Sequence, residues 1–182
     1  NNKLDFVVLE VTSHGLAQNR VFGVNFDIAA ITNVTKEHLD YHKTWKKYLK
    51  SKAKLFKNVN FKILNKDDKS FEYLQKIKKG EIISYSLNQK ANVTADNIQL
   101  GKGITSFEYT YQDKFGSKEK QEIQTNLIGK FNVSNILAAI GVAKALGIDK
   151  HLIKKGIKDF QGIEGRMQEV SIDKDFKIFI DF

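Results

Sequence analysis

Hydrophobic positions along the chain alternate between the spacing of strands and the spacing of helices. Residues 5–11 carry apolar side chains on both faces of an extended segment, which is typical of a central parallel strand covered by helices. Residues 27–33 repeat this pattern, and helical spacing over 44–57 and 68–79 encloses a short apolar stretch at 61–65. Strands that alternate with helices in this way predict an open α/β sheet.

The middle of the chain follows a different pattern. Polar and apolar residues alternate with a period of two in four segments, at residues 81–86, 92–100, 104–112 and 119–127. These segments, separated by glycine-containing turns, predict an antiparallel meander that is inserted in or appended to the α/β core.

Helical spacing returns near the carboxyl end, over residues 131–146 and 149–160, and the apolar residues 176–182 predict one more strand. The expected fold class is therefore α/β. We expect a mostly parallel central sheet with flanking helices, joined by a smaller antiparallel β-meander.

Composition narrows the classes of function. The 182 residues suffice for one well-buried domain, and no stretch approaches the roughly 18–20 apolar residues of a membrane span. No signal peptide is recognisable at the amino terminus. Without cysteine there is no disulfide framework and no thiolate zinc site. These features favour a cytoplasmic protein that makes no membrane contact.

The net charge of +9 is compatible with nucleic-acid binding. However, the chain is rich in Lys, Asn and Ile and contains no proline, a bias expected from an AT-rich coding sequence. A basic helix over 43–57 could hold nucleic acid if Trp45 and Tyr48 were exposed. Their spacing with Leu49 and Phe56 indicates a core position instead, so we expect no nucleic-acid partner.

Polar side chains follow the first two apolar segments directly. Glu10 ends the first, and the residues from Asn33 to His38 end the second. Ligands of open parallel sheets bind beyond the carboxyl ends of the strands. A glutamate and a histidine that meet there suit Mg²⁺, which keeps waters and phosphate oxygens as its other ligands. His38 and His42 are also four residues apart, a common metal-ligand spacing, although either could simply cap or solvate a turn.

Lys52 occupies an unusual place on the helix that begins near Thr44. The apolar stripe of this helix consists of Trp45, Tyr48, Leu49, Ala53 and Phe56. Lys52 lies seven residues after Trp45, at a position of the same stripe where an apolar residue is expected. The aliphatic part of the Lys52 side chain could pack against the core while its ammonium group reaches water. The hydrophobic pattern alone favours this interpretation.

Two further groups of residues lie near the carboxyl end. Asn132 and Asn135 are three apart at the first turn of a predicted helix. Asn132 could be an N-cap, or the two amides could contact a base edge. Arg166 stands in a glycine-flanked loop and has no interpretation by itself.

Five segments, in this order, resemble the Mur ligase family. They are "EVTSHGL", "TNVTKEHLDYHK", "KSKAKLF", "GKFNVSN" and "GRMQEV". Thr12 replaces the serine usual in the family and keeps a hydroxyl, whereas Lys43 replaces a glycine. The resemblance implies a P-loop-NTPase-like central domain over residues 1–167 and the start of the family's carboxyl-terminal domain over 168–182.

The resemblance also implies roles for single residues. Glu10 and His38 would help to hold Mg²⁺ near the γ-phosphate of ATP. Lys52 would be the family's carbamylated lysine, whose carbamate carries negative charge to a metal; burial favours the neutral amine that reacts with CO₂. These three residues would form the catalytic group.

The remaining implied residues bind substrates. Thr12, Gln18 and Arg20 would bind the nucleotide-sugar peptide. Asn132 and Asn135 would contact the adenine side of ATP, and Arg166 the nucleotide at the domain boundary.

The implied activity is ATP-dependent ligation of an acid to an amino acid in peptidoglycan synthesis. The segments are most similar to those of ligases that add the third residue to UDP-N-acetylmuramoyl-L-alanyl-D-glutamate. In such a reaction ATP phosphorylates the D-glutamyl carboxylate, and an amino acid's amine attacks the acyl phosphate. The partners would be these three substrates, bound by a monomer. A folylpolyglutamate or cyanophycin synthetase is the alternative within the same superfamily.

No G-x-x-x-x-G-K-[ST] phosphate loop occurs in the chain. The family places that loop before the strand that ends in Glu10. We therefore expect a fragment that cannot turn over alone.

Overall fold

The computed structural model of the protein describes residues 4–35, 42–101, 103–170, 176 and 178–181. Five α-helices lie in these ranges: α1 Ser13–Ala17, α2 Trp45–Ala53, α3 Phe71–Leu74, α4 Lys130–Ala145 and α5 Lys150–Asp159. The strands are β1 Ile28–Ile31, β2 Phe61–Asn65, β3 Glu81–Ser86, β4 Val93–Leu100, β5 Thr105–Gln112, β6 Lys118–Thr125, β7 Gln168–Val170 and β8 Ile178–Ile180. None of the described helices is long and apolar enough to cross a membrane.

The first six strands form one mixed sheet in which spatial order equals chain order. Strands β1 to β4 run parallel, and β4 to β6 run antiparallel. Strands β7 and β8 form a separate antiparallel pair. The predicted α/β class with a mostly parallel sheet and flanking helices is confirmed.

The extent of the predicted meander needs a correction. Strand β3 was expected to belong to it, yet β3 pairs with β4 in parallel, with Tyr85 opposite Val93. Asn92 explains the geometry, because its Oδ1 accepts hydrogen bonds from the amide (2.9 Å) and the hydroxyl (2.8 Å) of Ser84. These bonds hold the start of β4 beside the end of β3. The antiparallel part is therefore β4 to β6, and it extends the main sheet.

Buried apolar side chains cover both faces of the sheet. Ile63 and Leu64 are neighbours in β2, point to opposite faces and are both fully buried. Ile63 belongs to the cluster formed with α4 and α5, and Leu64 to the cluster formed with α2 and α3. Gly141 allows α4 to lie close to the sheet, because a Cβ there would come 2.8 Å from Ile63 Cγ2.

The prediction of a buried strand over 5–11 is wrong. Residues 4–12 form neither helix nor strand, and the large apolar side chains from Phe6 to Leu9 are between 53% and 96% exposed. A strand needs a neighbour that satisfies its amides and carbonyls. Within the described ranges, β1 pairs with β2 alone and nothing pairs with residues 5–11.

Most other predicted elements are present, with shifted ends. The helix expected over 68–79 is reduced to α3 and a few turns. One cause is Lys62, a buried residue of β2 whose ammonium donates to the carbonyl oxygen of Ile77. That bond ties the chain after α3 to the sheet, and burial lowers the pKa of Lys62. The strand expected over 176–182 is β8.

Candidate functional site

The chain that leaves β1 is fixed by three side chains from neighbouring elements. Asn65 Nδ2 donates to the carbonyl oxygen of Thr32 at 2.8 Å. Asp68 Oδ1 accepts from the amide of Val34 at 3.3 Å, and Trp45 Nε1 donates to the carbonyl oxygen of Val34 at 2.8 Å. The carboxyl end of β1 is thereby held against the end of β2 and the start of α2.

A buried tyrosine and an aspartate extend this network across the sheet. Tyr85 donates its hydroxyl to the carbonyl oxygen of Ile31 at 3.0 Å. Burial, assisted by the charges of Asp68 and Asp67, raises the pKa of Tyr85. Asp67 accepts from the Ser86 hydroxyl (2.6 Å) on the adjacent strand. Sequence reasoning overlooked both aspartates, although carboxylates directly after a strand are typical of turns that order the backbone.

Two of the predicted substrate residues flank helix α1, one before it and one after it. Thr12 is its N-cap, and Thr12 Oγ1 accepts from the amide of Gly15 at 3.0 Å. The carbonyl oxygen of Gly15 also accepts a hydrogen bond from the amide of Arg20, at 2.8 Å. A Cβ on Gly15 would lie 3.2 Å from Thr12 Oγ1 and 4.0 Å from Arg20 Cβ, so both side chains flank this glycine. Gln18 ends the helix, and the side chains of Gln18 and Arg20 are exposed.

A buried serine–histidine contact fastens α1 to the start of α2. Ser13 Oγ lies 3.0 Å from His42 Nε2, and both residues are buried. The His42 ring stacks on the Tyr48 ring, with 5.1 Å between centroids, and lies 5.5 Å from the His14 ring. Sequence reasoning gave His42 only a general place in a metal or turn cluster and gave Ser13 no role. Their contact joins two positions that are 29 residues apart in the sequence, so no local spacing predicts it.

Lys52 lies on the same side of α2 as this cluster. It is half-buried, and its Nζ stands 5.4 Å from the centre of the Tyr48 ring. Lys54, the residue that directly follows α2, donates from Nζ to the carbonyl oxygen of Leu16 at 3.0 Å, which is a second link between α1 and the α2 region.

The structure describes only some of the residues of the predicted metal site. Glu10 is exposed and stands two residues before the cap of α1. His38 lies in residues 36–41, outside the described residues, so its pairing with Glu10 stays a prediction. In the part of the chain that the structure describes, no three His, Cys, Asp or Glu side chains group so as to hold a metal ion.

The two predicted asparagines meet at the first turn of α4. Asn135 Nδ2 donates to Asn132 Oδ1 at 3.4 Å, and Asn132 Nδ2 donates to the carbonyl oxygen of Ile128 at 2.9 Å. The N-cap is Gly129, whose φ of 95° favours glycine, so the alternative that made Asn132 the cap is wrong. The register places the end of β6 beside Thr105, which pairs with the carboxyl end of β4. The amides thus lie on the carboxyl side of the sheet.

Arg166 lies in a loop that packs on the segment before α4. Gln161 Oε1 accepts from Asn126 Nδ2 at 3.1 Å, and a Cβ on Gly162 would lie 3.5 Å from the Leu127 side chain. Arg166 itself is exposed. The predicted residues therefore form two groups. One lies around α1 and α2, and the other around the start of α4.

Comparison with known proteins gives a consistent result. Residues 1–143 match the Mur ligase middle domain. The chain is 34% identical over 188 residues to UDP-N-acetylmuramoyl-L-alanyl-D-glutamate--2,6-diaminopimelate ligase of Bacillus velezensis, covering 98% of this chain and 37% of that protein. The enzyme of the same name from Thermosynechococcus vestitus is 38% identical over 184 residues, covering 97% and 36%. The chain thus spans about a third of the length of the curated relatives it matches.

Solved structures share the fold at lower identity. MurF from Acinetobacter baumannii superposes with a TM-score of 0.71 at 22% identity, over 85% of this chain and 33% of that one. UDP-N-acetylmuramate-alanine ligase from Thermotoga maritima gives 0.68 at 21% identity, over 85% and 34%. A point mutant of the L. casei enzyme FPGS gives 0.62 at 16%, over 87% and 42%. At these identities the likeness shows the fold alone.

Proposed function

The chain belongs to the Mur ligase family, and from this premise we propose that it is the central part of an ATP-dependent peptidoglycan ligase. The reaction is the addition of the third amino acid to UDP-N-acetylmuramoyl-L-alanyl-D-glutamate. The names of the relatives support this step. The observation that carries the proposal is the joining of α1, with Thr12 and Arg20, to the helix of Lys52 through Ser13 and His42.

Thr12 and Arg20 are suited to hold an anionic peptide substrate. The Thr12 hydroxyl oxygen accepts from the amide of Gly15, so its own hydrogen remains available to a substrate oxygen. The exposed guanidinium of Arg20 can donate two parallel hydrogen bonds to a carboxylate or phosphate. Gln18 would add an amide from the same turn. Together these groups would hold the D-glutamyl carboxylate of the substrate in position to be phosphorylated, and such positioning can supply a large part of the rate.

The chemistry of the predicted metal ligands fits Mg²⁺. This ion takes one or two carboxylates and otherwise keeps water and phosphate oxygens, and the exposed carboxylate of Glu10 meets that requirement. Glu10, His38 and a carbamylated Lys52 would hold the ion, which neutralises charge on the transferring phosphoryl group when bound. Asn132, Asn135 and Arg166, the predicted residues around the start of α4, would contact the nucleotide of ATP.

The experiment that tests the activity uses the longer protein that contains this chain. Purified protein is given UDP-N-acetylmuramoyl-L-alanyl-D-glutamate and ATP, with diaminopimelate or lysine in separate reactions. We expect phosphate release and a tripeptide product with one of the amino acids. Phosphate release that needs a folate or another acid, and ignores the muramyl dipeptide, would refute the assignment.

Substitutions of Lys52 test its carbamylation within that assay. Lys52→Ala should abolish most activity, and short carboxylic acids should restore part of it by supplying the missing negative group. Lys52→Arg should fail as badly, because guanidinium stays positive and cannot take up CO₂. Lys47→Ala, at an exposed position of the same helix, is the matched control and should stay active. Near-normal turnover in Lys52→Arg would remove the carbamate.

A further inference from the structure

We propose that His42 is a positioning residue for the nucleotide-sugar peptide, which it serves by holding α1 through Ser13. The inference rests on the proposed function, in which Thr12 and Arg20 bind that substrate. Ser13 and His42 are 3% and 5% exposed, and their polar atoms lie 3.0 Å apart. A buried hydrogen bond between two elements helps to fix their relative orientation, since the Ser13 hydroxyl in the interior costs free energy when it loses its partner.

Helix α1 depends on such contacts for its position. It has five residues, far fewer than a helix needs to be stable by itself in water. The segment before it is exposed, and so are the large apolar side chains of Phe22 and Val24 after it. Besides the Ser13–His42 bond, Lys54 Nζ holds the carbonyl oxygen of Leu16. The two bonds attach opposite ends of the helix to α2 and the residues that flank it.

The His42 ring is itself held on the α2 side. It stacks on Tyr48, and Lys52 Nζ lies 5.4 Å from the centre of the same tyrosine ring. A continuous series of contacts therefore runs from Ser13 through His42 and Tyr48 to Lys52. Because Ser13 follows Thr12 directly, a displacement of Ser13 moves the Thr12 hydroxyl and the flanking Arg20 relative to Lys52. A misplacement of about 1 Å can cost about 100-fold in rate.

Two substitutions remove the bond in different ways, and a third restores it. His42→Phe keeps a ring for stacking but has no polar atom, and Ser13→Ala removes the hydroxyl. His42→Gln supplies an amide with about the reach of Nε2 that can donate or accept. His151→Phe, at an exposed site on α5, is the matched control.

In the longer enzyme, His42→Phe and Ser13→Ala should each raise KM for the nucleotide-sugar peptide by about 10- to 100-fold, with KM for ATP within about twofold. The double variant should be no worse than His42→Phe alone, because the bond that Ser13→Ala removes is then already lost. His42→Gln should recover most of the loss. Equal changes in both KM values, or losses that add in the double variant, would overturn the proposal.

Hydrogen exchange in the same protein gives a readout that does not depend on activity. We expect faster exchange in residues 13–20 of His42→Phe and Ser13→Ala, with β2 and α4 unchanged. Unchanged exchange in 13–20 would refute the positioning role even if the enzyme is a muramyl ligase. Faster exchange there in a protein without that activity would instead refute the proposed function and leave the attachment of α1 standing.

Discussion

Apolar side chains are exposed in the segment before β1 and buried in the sheet that begins at β1. Both contain runs of branched and aromatic residues. Between Phe6 and Leu9 these side chains are exposed, whereas Ile63 and Leu64 in β2 are fully buried between two strands and two layers of helices. The same apolar pattern therefore leads to a core only where neighbouring elements cover it.

The two regions also differ in what they contribute, one to stability and the other to the proposed binding of substrate. The sheet, with α2 and α4, contains most of the large buried side chains and so most of the stability. The segment with Thr12 and Arg20 is attached by individual hydrogen bonds from α2 and its flanking residues and by one large buried apolar side chain, Leu16. Substitutions in the sheet should therefore change the free energy of unfolding, and substitutions in the segment should change substrate binding.

The largest effect should follow from an aromatic core residue. Phe56 is fully buried in the cluster under α2, and Phe56→Ala should lower the free energy of unfolding by about 3–5 kcal/mol. Phe22→Ala, at a side chain that is 91% exposed, should change it by less than about 0.5 kcal/mol. Urea unfolding of both variants checks the contrast. Similar losses in the two would mean that the segment before β1 is packed as tightly as the sheet.

Arg20 should show the reverse behaviour. In the longer enzyme, Arg20→Ala should raise KM for the nucleotide-sugar peptide about ten- to 150-fold, since a hydrogen bond to a charged group contributes about 1.5–3 kcal/mol. The free energy of unfolding should hardly change, because the guanidinium is exposed. Steady-state kinetics with each substrate varied checks this expectation. An unchanged KM for the peptide substrate would exclude Arg20 from binding it.

A buried ion pair offers a smaller test within the sheet. Lys144 on α4 contacts Glu119 on β6 at 2.5 Å, with side chains 8% and 28% exposed, and Tyr109 donates to the same carboxylate at 3.0 Å. Glu119→Gln keeps an acceptor for Tyr109 but leaves the ammonium without its counter-charge. We expect a loss of about 1–3 kcal/mol in the free energy of unfolding.

The neighbouring pair Lys120–Glu108 is the matched control, because it joins β6 to β5 near the surface. Glu108→Gln should cost about 0.2–1 kcal/mol at most. Thermal unfolding of the two variants side by side is sufficient. Equal losses would show that burial of Lys144 adds nothing to the pair.

Much of the fold could be predicted from the sequence, because periodicity reports which face of an element is buried. The stripe with Tyr48, Leu49 and Phe56 gave α2, and the two-residue alternation gave β4 to β6. Periodicity does not report the partner of a strand. It therefore placed residues 5–11 in the sheet and β3 in the meander, where the neighbours and the Asn92 bonds decide otherwise.

The candidate site was predictable only as far as side-chain chemistry marks it. Thr12 and Arg20, expected to share a site, do flank Gly15, and the two asparagines do meet. The contacts that attach these residues were not predictable, because Ser13–His42 and Asp68–Val34 link positions 29 and 34 residues apart. Such pairs depend on the three-dimensional path of the chain and leave no local spacing.

The smallest effect should come from the exposed N-cap of α5, and pH separates its two components. Asp149 caps the helix through the amide of His151 at 2.8 Å, and this hydrogen bond is the main cause that lowers the pKa of Asp149. A pKa lowered by folding adds stability above the unfolded value, and that stability is lost as pH falls through the folded pKa.

Asp149→Asn keeps a capping oxygen but does not titrate. The stability of the native chain relative to Asp149→Asn should therefore fall as pH drops from about 5 through the folded pKa, whereas Asp149→Ala lacks the cap throughout. Chemical unfolding of the three proteins at several pH values measures this difference. A native-to-Asn difference that stays constant with pH would show that the carboxylate charge contributes nothing at this cap, even though the helix belongs to the packed region.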